Sequence, residues 1–374
     1  MSGTIGIVIF VVSILLVILI HEAAHFGVAK AFGIKVEEFF VGFGPRLFSR
    51  RRGETEYGVK AFPLGGYVKI AGMNPYEEIS PEDYPRTYGA RPPYQRAAVI
   101  VAGPITHFVI AFILFAIFFA FYGQPTAVAA RIGGVAKTVA GQPAPAAAAG
   151  LRAGDEIVSV DGVPRANEDQ FLKAIKDHPG EPIRLVVDRD GRRIVVTVTP
   201  AKDSKGQGKI GVLVESGTVL STNKKGVLGS FVAAGAQIGE VTKQTVLSLG
   251  KVFGPEGIGR MFNLIFGNAQ RNTGDAVGSI GVASAAGQIT QAFGFGPLIF
   301  LLAGVNVFVG ILNLLPLPPF DGGHLAVVAW EKIRGRKVDA RKLVPLTMVV
   351  VVFLMVWFVG ITYLDIFKPV HVVP

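Results

Sequence analysis

Residues 5–33 read IGIVIFVVSILLVILIHEAAHFGVAKAFG, an apolar run broken only by Ser13 that passes directly into His21-Glu22-Ala-Ala-His25. Such a run predicts a membrane-spanning helix. On a helix, positions i and i+4 share a face, so His21 and His25 can offer both imidazoles to one ion. Glu22, beside His21, is placed to act as a general base on a water held there. Two histidines with a carboxylate between them are the donor set of a zinc hydrolase. At about 1.5 Å per residue, His21 lies roughly 25 Å along a helix that starts near Thr4, within a hydrocarbon core of about 30 Å. Polar clusters at that depth are costly and point to function. A histidine pair just beyond the span is the competing reading.

Composition agrees with a membrane chain. Half of the 374 residues are hydrophobic and only 17% are charged, against about 25% in soluble domains. The net charge of +10 is spread near the apolar spans rather than gathered into an arm, which argues against a nucleic-acid partner. The sequence has no cysteine, which excludes disulfides, thiolate nucleophiles and cysteine zinc sites. The N-terminal run lacks a basic leader and a small-residue cleavage site, so it reads as a retained span.

Four regions are expected. Residues 1–125 form an N-terminal membrane part with the histidine helix, a β-hairpin at about 56–70 and a second span over 97–122. The hairpin stretch, EYGVKAFPLGGYVKI, reads as strands turning at Gly65-Gly66. It is apolar enough to dip into the membrane, and an open strand edge there can hold an extended peptide. The second span opens with Ala102-Gly-Pro-Ile-Thr-His107, where Gly103 and Pro104 permit a bend or a close helix contact. His107 reads as a packing residue before it reads as a ligand.

Residues 126–215 form a β-rich module. A turn and strand lie at Gly150-Leu-Arg-Ala-Gly-Asp155-Glu-Ile-Val-Ser-Val, and a helix covers Glu168 to Lys176. A hairpin of 183–187 and 194–199 turns at Asp190-Gly191. Arg131-Ile-Gly-Gly-Val135 reads as a terminus-capturing loop or a strand lead-in. Residues 216–295 form an amphipathic linker region, where roughly helical spacing from Gly226 to about Phe266 suggests amphipathic helices that are either interfacial or packed on the module. Residues 296–374 carry spans at about 296–315 and 344–367. The third span ends in Asn313-Leu-Leu-Pro-Leu-Pro-Pro-Phe-Asp321-Gly-Gly-His324. Asp321, on an irregular apolar-flanked stretch, needs a cation or a donor, or else caps the helix that follows.

The short loop between the last two spans carries Lys332, Arg334, Arg336, Lys337, Arg341 and Lys342 against Glu331 and Asp339. That bias puts it in the cytoplasm. The module then lies outside, and His21 and Asp321 fall at the same cytoplasmic level.

With these motifs in hand, the sequence resembles the site-2 protease family of intramembrane zinc metalloproteases, in particular its bacterial regulator-of-sigma-E branch. The resemblance rests on HEAAHF at 21–26, FGPRLFSRRRGETEYGVKAFPLGGYVKIAGM at 43–73, AGPITHF at 102–108, AGLRAGDEIVSVDG at 149–162 and NLLPLPPFDGGH at 313–324. It implies a polytopic α-helical membrane protein with four principal transmembrane helices, a membrane-associated β-hairpin and one extracytoplasmic α+β PDZ domain. It further implies that His21, His25 and Asp321 bind Zn2+, that Glu22 is the catalytic base, and that Asn313 stabilises the oxyanion or holds substrate. Residues Gly65, Gly66, Tyr67, Val68 and Lys69 match the segment that presents substrate as a strand. The implied location is the bacterial cytoplasmic (inner) membrane. The implied partners are the lipid bilayer, single-span membrane substrates such as anti-sigma factors, signal-peptide remnants, and an upstream site-1-type protease. The branch often has Asn where His107 stands, and some relatives carry two PDZ domains where this chain has room for one. Two rival readings are a catalytically silent PDZ scaffold and a zinc carrier or sensor; neither needs Glu22.

Overall fold

The structure is a computed structural model, and it describes residues 2–370 except 75, 140, 141, 165, 166, 204, 205 and 273. In chain order it opens with α1 (Gly3–Ala31), β1 (Val36–Arg52), β2 (Thr55–Ile70) and α2 (Pro93–Phe121). There follow β3 (Gln124–Val135), α3 (Pro145–Ala148), β4 (Glu156–Val160), β5 (Val163–Pro164) and α4 (Glu168–Asp177). Next come β6 (Ile183–Arg189), β7 (Arg192–Val198) and β8 (Val212–Asn223). The chain ends with α5 (Val227–Val252), α6 (Pro255–Phe266), α7 (Ser279–Phe293), α8 (Phe295–Asn313), α9 (Asp321–Arg334) and α10 (Val344–Phe367). Two compact units result, one of residues 1–118 with 227–373 and one of residues 119–226. Among the described residues, four helices are long and apolar enough to cross a membrane: α1, α2, α8, and α10 with the turn before it.

In the first unit, the buried stripe of α1 is Gly6, Phe10, Val17, His21, His25 and Ala29. Its other face leaves Ile5, Val8, Val12 and Leu16 exposed, as a lipid-facing surface does. At its N-terminal end α1 packs backbone to backbone on α7. A Cβ on Gly6 would lie 2.5 Å from Thr290, and one on Gly287 would lie 2.9 Å from the Gly3 carbonyl. Small residues at such crossings let membrane helices gain dispersion contacts where no hydrophobic driving force brings them together. Helix α1 ends at Ala31 with Phe32 as its C-cap, and Gly33 follows with a φ of +67° that suits glycine and lets the Ile34 amide close onto the Ala29 carbonyl.

The strand pair differs from the sequence expectation. The tight turn lies at Gly53-Glu54, between Arg52 and Thr55, and Gly65-Gly66 sits inside β2. Both long strands fold back on themselves. Residues 36–41 run antiparallel to 66–70 (Val36 opposite Ile70, Val41 opposite Gly66). The same stretch lies beside 56–59 on its other side, with Glu38 opposite Glu56 and Val41 opposite Val59. Residues 46–52 then pair with 55–60 to close the outer edge. The result is a small curled sheet of four segments in the order 46–52, 55–60, 36–41, 66–70. The reversal after Val41 needs Gly42 and Gly44, both at positive φ (+86° and +85°). A Cβ on Gly42 would lie 2.7 Å from the Phe62 carbonyl oxygen.

Near the other end of the unit, Asp365 of α10 accepts hydrogen bonds from the Gly278 and Gly281 amides at the start of α7 and pairs with Arg271 at 2.8 Å. Side chains on those two glycines would collide with the carboxylate. The small residues of Gly278-Ser-Ile-Gly281 are therefore the seat of a buried acid. The region 227–266, whose spacing predicts amphipathic helices, is a 26-residue helix α5 followed by α6. Phe231 of α5 stacks on Phe112 of α2 with ring centroids 5.8 Å apart.

The second unit is a six-stranded sheet in the order β8-β3-β4-β6-β7, with β5 paired to β4. Arg131–Val135 is strand, not loop. Its core gathers Ile132, Ile157, Phe171, Ile183, Leu185 and Val187, all essentially buried. Phe171 and Ile175 are the apolar face of α4, which begins with a reciprocal cap between Asn167 and Gln170. The β6–β7 turn is Asp190-Gly191 with both residues at positive φ, the conformation that a two-residue hairpin requires. Asp155 is 1% exposed. It is gripped by the Arg189 fork at 2.6 and 2.7 Å and by the Arg152 amide at 2.9 Å. Burial pushes the Asp155 carboxyl up, but these donors outweigh it and hold it below the usual carboxylate range. A depressed folded value means that this contribution is fully present above the unfolded value of about 3.9 and is lost as pH falls through the lower folded value. Hydrogen exchange should thus show amide protection in β4 and β6 intact at pH 5 and falling below about pH 4. In an Arg189→Met protein that protection should already be reduced at neutral pH.

Candidate metal centre

Three side chains from distant parts of the first unit converge. His21 Nε2 lies 3.1 Å from His25 Nε2. Asp321 Oδ2 lies 3.3 Å from His21 Nε2 and 3.5 Å from His25 Nε2. No other His, Cys, Asp or Glu side chain joins this group among the described residues. Helix spacing brings the histidines together. Asp321 arrives through the α8–α9 loop. It is the first residue of α9, whose N-cap position is Phe320, so its carboxylate faces the histidines rather than capping the helix. Gly322 and Gly323 make this possible, because Cβ atoms there would lie 2.3 Å from the Leu314 carbonyl and 2.5 Å from the Pro318 nitrogen. The helix start is thereby folded tightly onto the proline loop.

The donor atoms fit a zinc ion. Bonds of about 2.0–2.1 Å in a tetrahedron put neighbouring ligand atoms roughly 3.3–3.4 Å apart, and the three separations here scatter around that value. His25 Nδ1 lies 2.7 Å from the Val99 carbonyl, the backbone contact that fixes the tautomer of a ligating imidazole. His21 Nδ1 is buried without a hydrogen-bond partner, and its ring is held instead by the edge of His25 and by His107, 5.0 Å away. Helix α2 leaves room for the group at Gly103. A Cβ there would sit 2.3 Å from His25 Nε2 and 2.6 Å from His21 Cε1.

His107, 2% exposed, stays outside the donor group. Its Nδ1 lies 3.3 Å from Asn306 Oδ1, while the Asn306 amide donates to the Leu302 carbonyl at 2.8 Å. A polar residue in the apolar run of α8 was the available signal for Asn306. Nothing local in the sequence marks the Val99 carbonyl. Arg96 and Glu331, both buried, form an ion pair that ties the start of α2 to the end of α9, and Glu331 also accepts the Val338 amide at 2.8 Å. This pair holds the helix that carries Asp321 against the helix that carries Val99 and Gly103.

Glu22 faces the curled sheet. A Cβ on Gly66 would lie 3.6 Å from Glu22 Cγ, and the Val68 backbone amide donates to the Glu22 carboxylate. Among the described residues the 66–70 segment has a sheet partner on one side only, so its other edge runs past Glu22. Gly66, Tyr67, Val68 and Lys69 are consecutive in this segment, and Gly65 immediately precedes it within β2. Tyr67 stacks on Phe40 and donates its hydroxyl to Glu38, while Lys69 pairs with Glu37 at 2.6 Å. Asn313 is the half-buried last residue of α8, at the mouth of the loop that delivers Asp321.

Comparison with known proteins agrees with this geometry. The sequence model of peptidase family M50 matches residues 9–357. The zinc metalloprotease Rip1 of Mycobacterium tuberculosis is 35% identical over 98% of this chain and 98% of its own length. Rip1 of Mycolicibacterium smegmatis is 36% identical over 91% and 89%. Zinc metalloprotease RasP of Geobacillus kaustophilus is 28% identical over 97% and 98%. Among solved structures, the PDZ domain of an SdrC-like protein from Listeria innocua matches 25% of this chain and 98% of its own at 23% identity, with a TM-score of 0.20. With the family matched from the first membrane helix to the last, the chain belongs to peptidase family M50, the site-2 proteases, and is a zinc metalloprotease.

Proposed function

We propose that the chain cleaves single-span membrane proteins within or near their membrane segment, using His21, His25 and Asp321 to hold zinc and Glu22 as the catalytic base. The observation that carries this reading is the position of Glu22, between the three-donor group and a strand edge at Gly66–Val68. Zinc, when bound, supplies Lewis-acid polarisation of the scissile carbonyl and acidifies the attacking water. Glu22 takes the proton of that water and returns it to the leaving amine. The 65–69 edge holds the substrate as an added strand, which keeps its scissile bond extended beside Glu22. Substrate helices with glycine near the cut unwind more readily, since glycine costs a helix about 1 kcal/mol. Asn313 offers an amide to the oxyanion.

In the same reading, residues 126–215 are a PDZ domain on the extracytoplasmic side of the bacterial cytoplasmic membrane, and the metal centre lies near the cytoplasmic face. The basic loop after α9 favours that orientation. The substrates are anti-sigma-factor-like regulators already trimmed by a site-1-type protease, together with signal-peptide remnants. The test is cleavage of a purified single-span substrate with a glycine-rich segment by the purified protein in lipid nanodiscs. Cleavage that stops with a chelator and returns with stoichiometric zinc is the expected result. A fully zinc-loaded protein that leaves both a glycine-rich and a leucine-rich substrate intact would favour a scaffold or zinc sensor instead.

A further inference from the structure

The curled sheet has two chemically different ends. Its inner end reaches Glu22, while its Gly53-Glu54 turn meets Lys30 in the last turn of α1, where Glu54 pairs with both Lys30 and Arg86. Lys30 lies eight positions after Glu22, roughly 12 Å further along the helix axis. The sheet therefore runs along α1 from the depth of the metal centre to the helix end.

Charges toward the inner end each have a local partner, an acid for Arg46 and aromatic faces for Lys60. Arg46 pairs with Glu56 at 2.8 Å, and the Lys60 ammonium lies over the Phe40 and Tyr67 rings at 5.0 and 4.6 Å. Exposed apolar side chains surround them: Phe43, Leu47, Phe48 and Phe62 are 47–70% exposed. At the outer end the pattern reverses. Arg50, Arg51 and Arg52 are exposed, and among the described residues none of their guanidiniums has an acidic partner. All three line one open cleft of 880 Å³ together with Lys30, Glu54 and Tyr57. Glu54 is already shared between Lys30 and Arg86, so the cleft keeps the charge of the three arginines.

We propose that this cleft binds the phosphodiester headgroup of an anionic phospholipid from the leaflet in which the sheet is seated. Charge complementarity selects the occupant. Guanidiniums bind phosphate oxygens through paired N–H donors, and the exposed aromatic and leucine side chains further along the same sheet extend toward the acyl region of the same lipid. Binding there pins the turn of the sheet at the headgroup level and leaves the 66–70 edge free beside Glu22. The inference goes beyond proteolysis and rests on the proposed placement of the sheet in the membrane.

The test uses the full protein in phosphatidylcholine nanodiscs that contain trace nitroxide-labelled phosphatidylglycerol or nitroxide-labelled phosphatidylcholine. Electron paramagnetic resonance then counts the lipid immobilised by the protein. The wild type should favour phosphatidylglycerol by about fivefold or more, and R50Q/R51Q/R52Q should lose most of that preference, in line with the contribution of basic residues at an anionic surface. K332Q/R334Q/R336Q, which removes three exposed cations from the last turn of α9 and the residues just after it, should keep most of it. Zinc content reports that each variant retains its membrane fold, independently of whether it cleaves anything. Equal immobilisation of the two lipids by the wild type, or an equal loss in both variants, overturns the proposal. Abolition of the preference by inorganic phosphate at constant ionic strength also overturns it, because the occupant would then be the free anion.

Discussion

Glu22→Gln should lower the cleavage rate by about 10²–10⁴-fold, the range for loss of a positioned general base, with zinc content unchanged. Glu22 is outside the three-donor group, and glutamine keeps a carbonyl oxygen that can accept the Val68 amide as the carboxylate does. What the variant loses is the ability to take a proton. Single-turnover cleavage of a reconstituted substrate, with zinc measured on the same preparation, separates the possibilities. Loss of zinc together with activity would make Glu22 part of the metal cradle. Unchanged cleavage at full zinc would put the base elsewhere.

Gly103→Ala should act in the opposite sense, removing the metal while leaving the base in place. Its Cβ would stand 2.3 Å from His25 Nε2, closer than any van der Waals contact, so α1 and α2 must separate or the imidazole must swing away. The Val99 carbonyl that orients His25 lies one helical turn earlier and would move too. Disturbing such supporting groups costs 10–100-fold in metal affinity, and displacing a ligand itself should cost on the order of 10²-fold or more. Dialysis against a graded chelator series followed by metal analysis gives the affinity. Gly27→Ala is the control: nothing lies within 4 Å of its added Cβ, although Gly27 is two residues from His25 on the same helix. A Gly103→Ala protein that binds zinc like the wild type would mean that the donor group is not where the ion sits.

The elements legible in the sequence are those set by local pattern. Helices α1, α2, α8 and α10 fall on the four apolar runs, because a span is written in consecutive residues. His21 and His25 were readable from helical spacing, and Asp321 from the anomaly of an acid among prolines and apolar residues. The curled sheet was misread because Gly65-Gly66 is the louder turn signal. Gly53 follows three arginines in a run without hydrophobic alternation, yet the chain reverses there. The reason is long-range. Residues 36–41 supply a partner for both 56–59 and 66–70, and once 66–70 is paired, Gly65 serves close approach to Phe43, and Gly66 to Phe40 and Glu22, rather than a turn. The Arg96–Glu331 pair joins positions 235 residues apart, and the His107–Asn306 contact joins positions 199 apart. Neither residue carries a mark of its partner. Gly103 was readable as a close-contact position but not as the neighbour of the histidines, because its meaning comes from what α1 places against it.

The donor group draws two members from the first helix of the chain and the third from the ninth. During synthesis at about 5–20 residues per second, the roughly 300 residues between His25 and Asp321 take on the order of 15–60 s to emerge. Throughout that interval a membrane-inserted α1 holds two imidazoles and a carboxylate but lacks the third donor. A nascent chain is therefore a weak metal binder without an assembled catalytic centre, beside the membrane proteins being inserted around it. The long chain separation of the ligands acts as a timer that keeps the hydrolase inert until Asp321 has been made and folded onto α1.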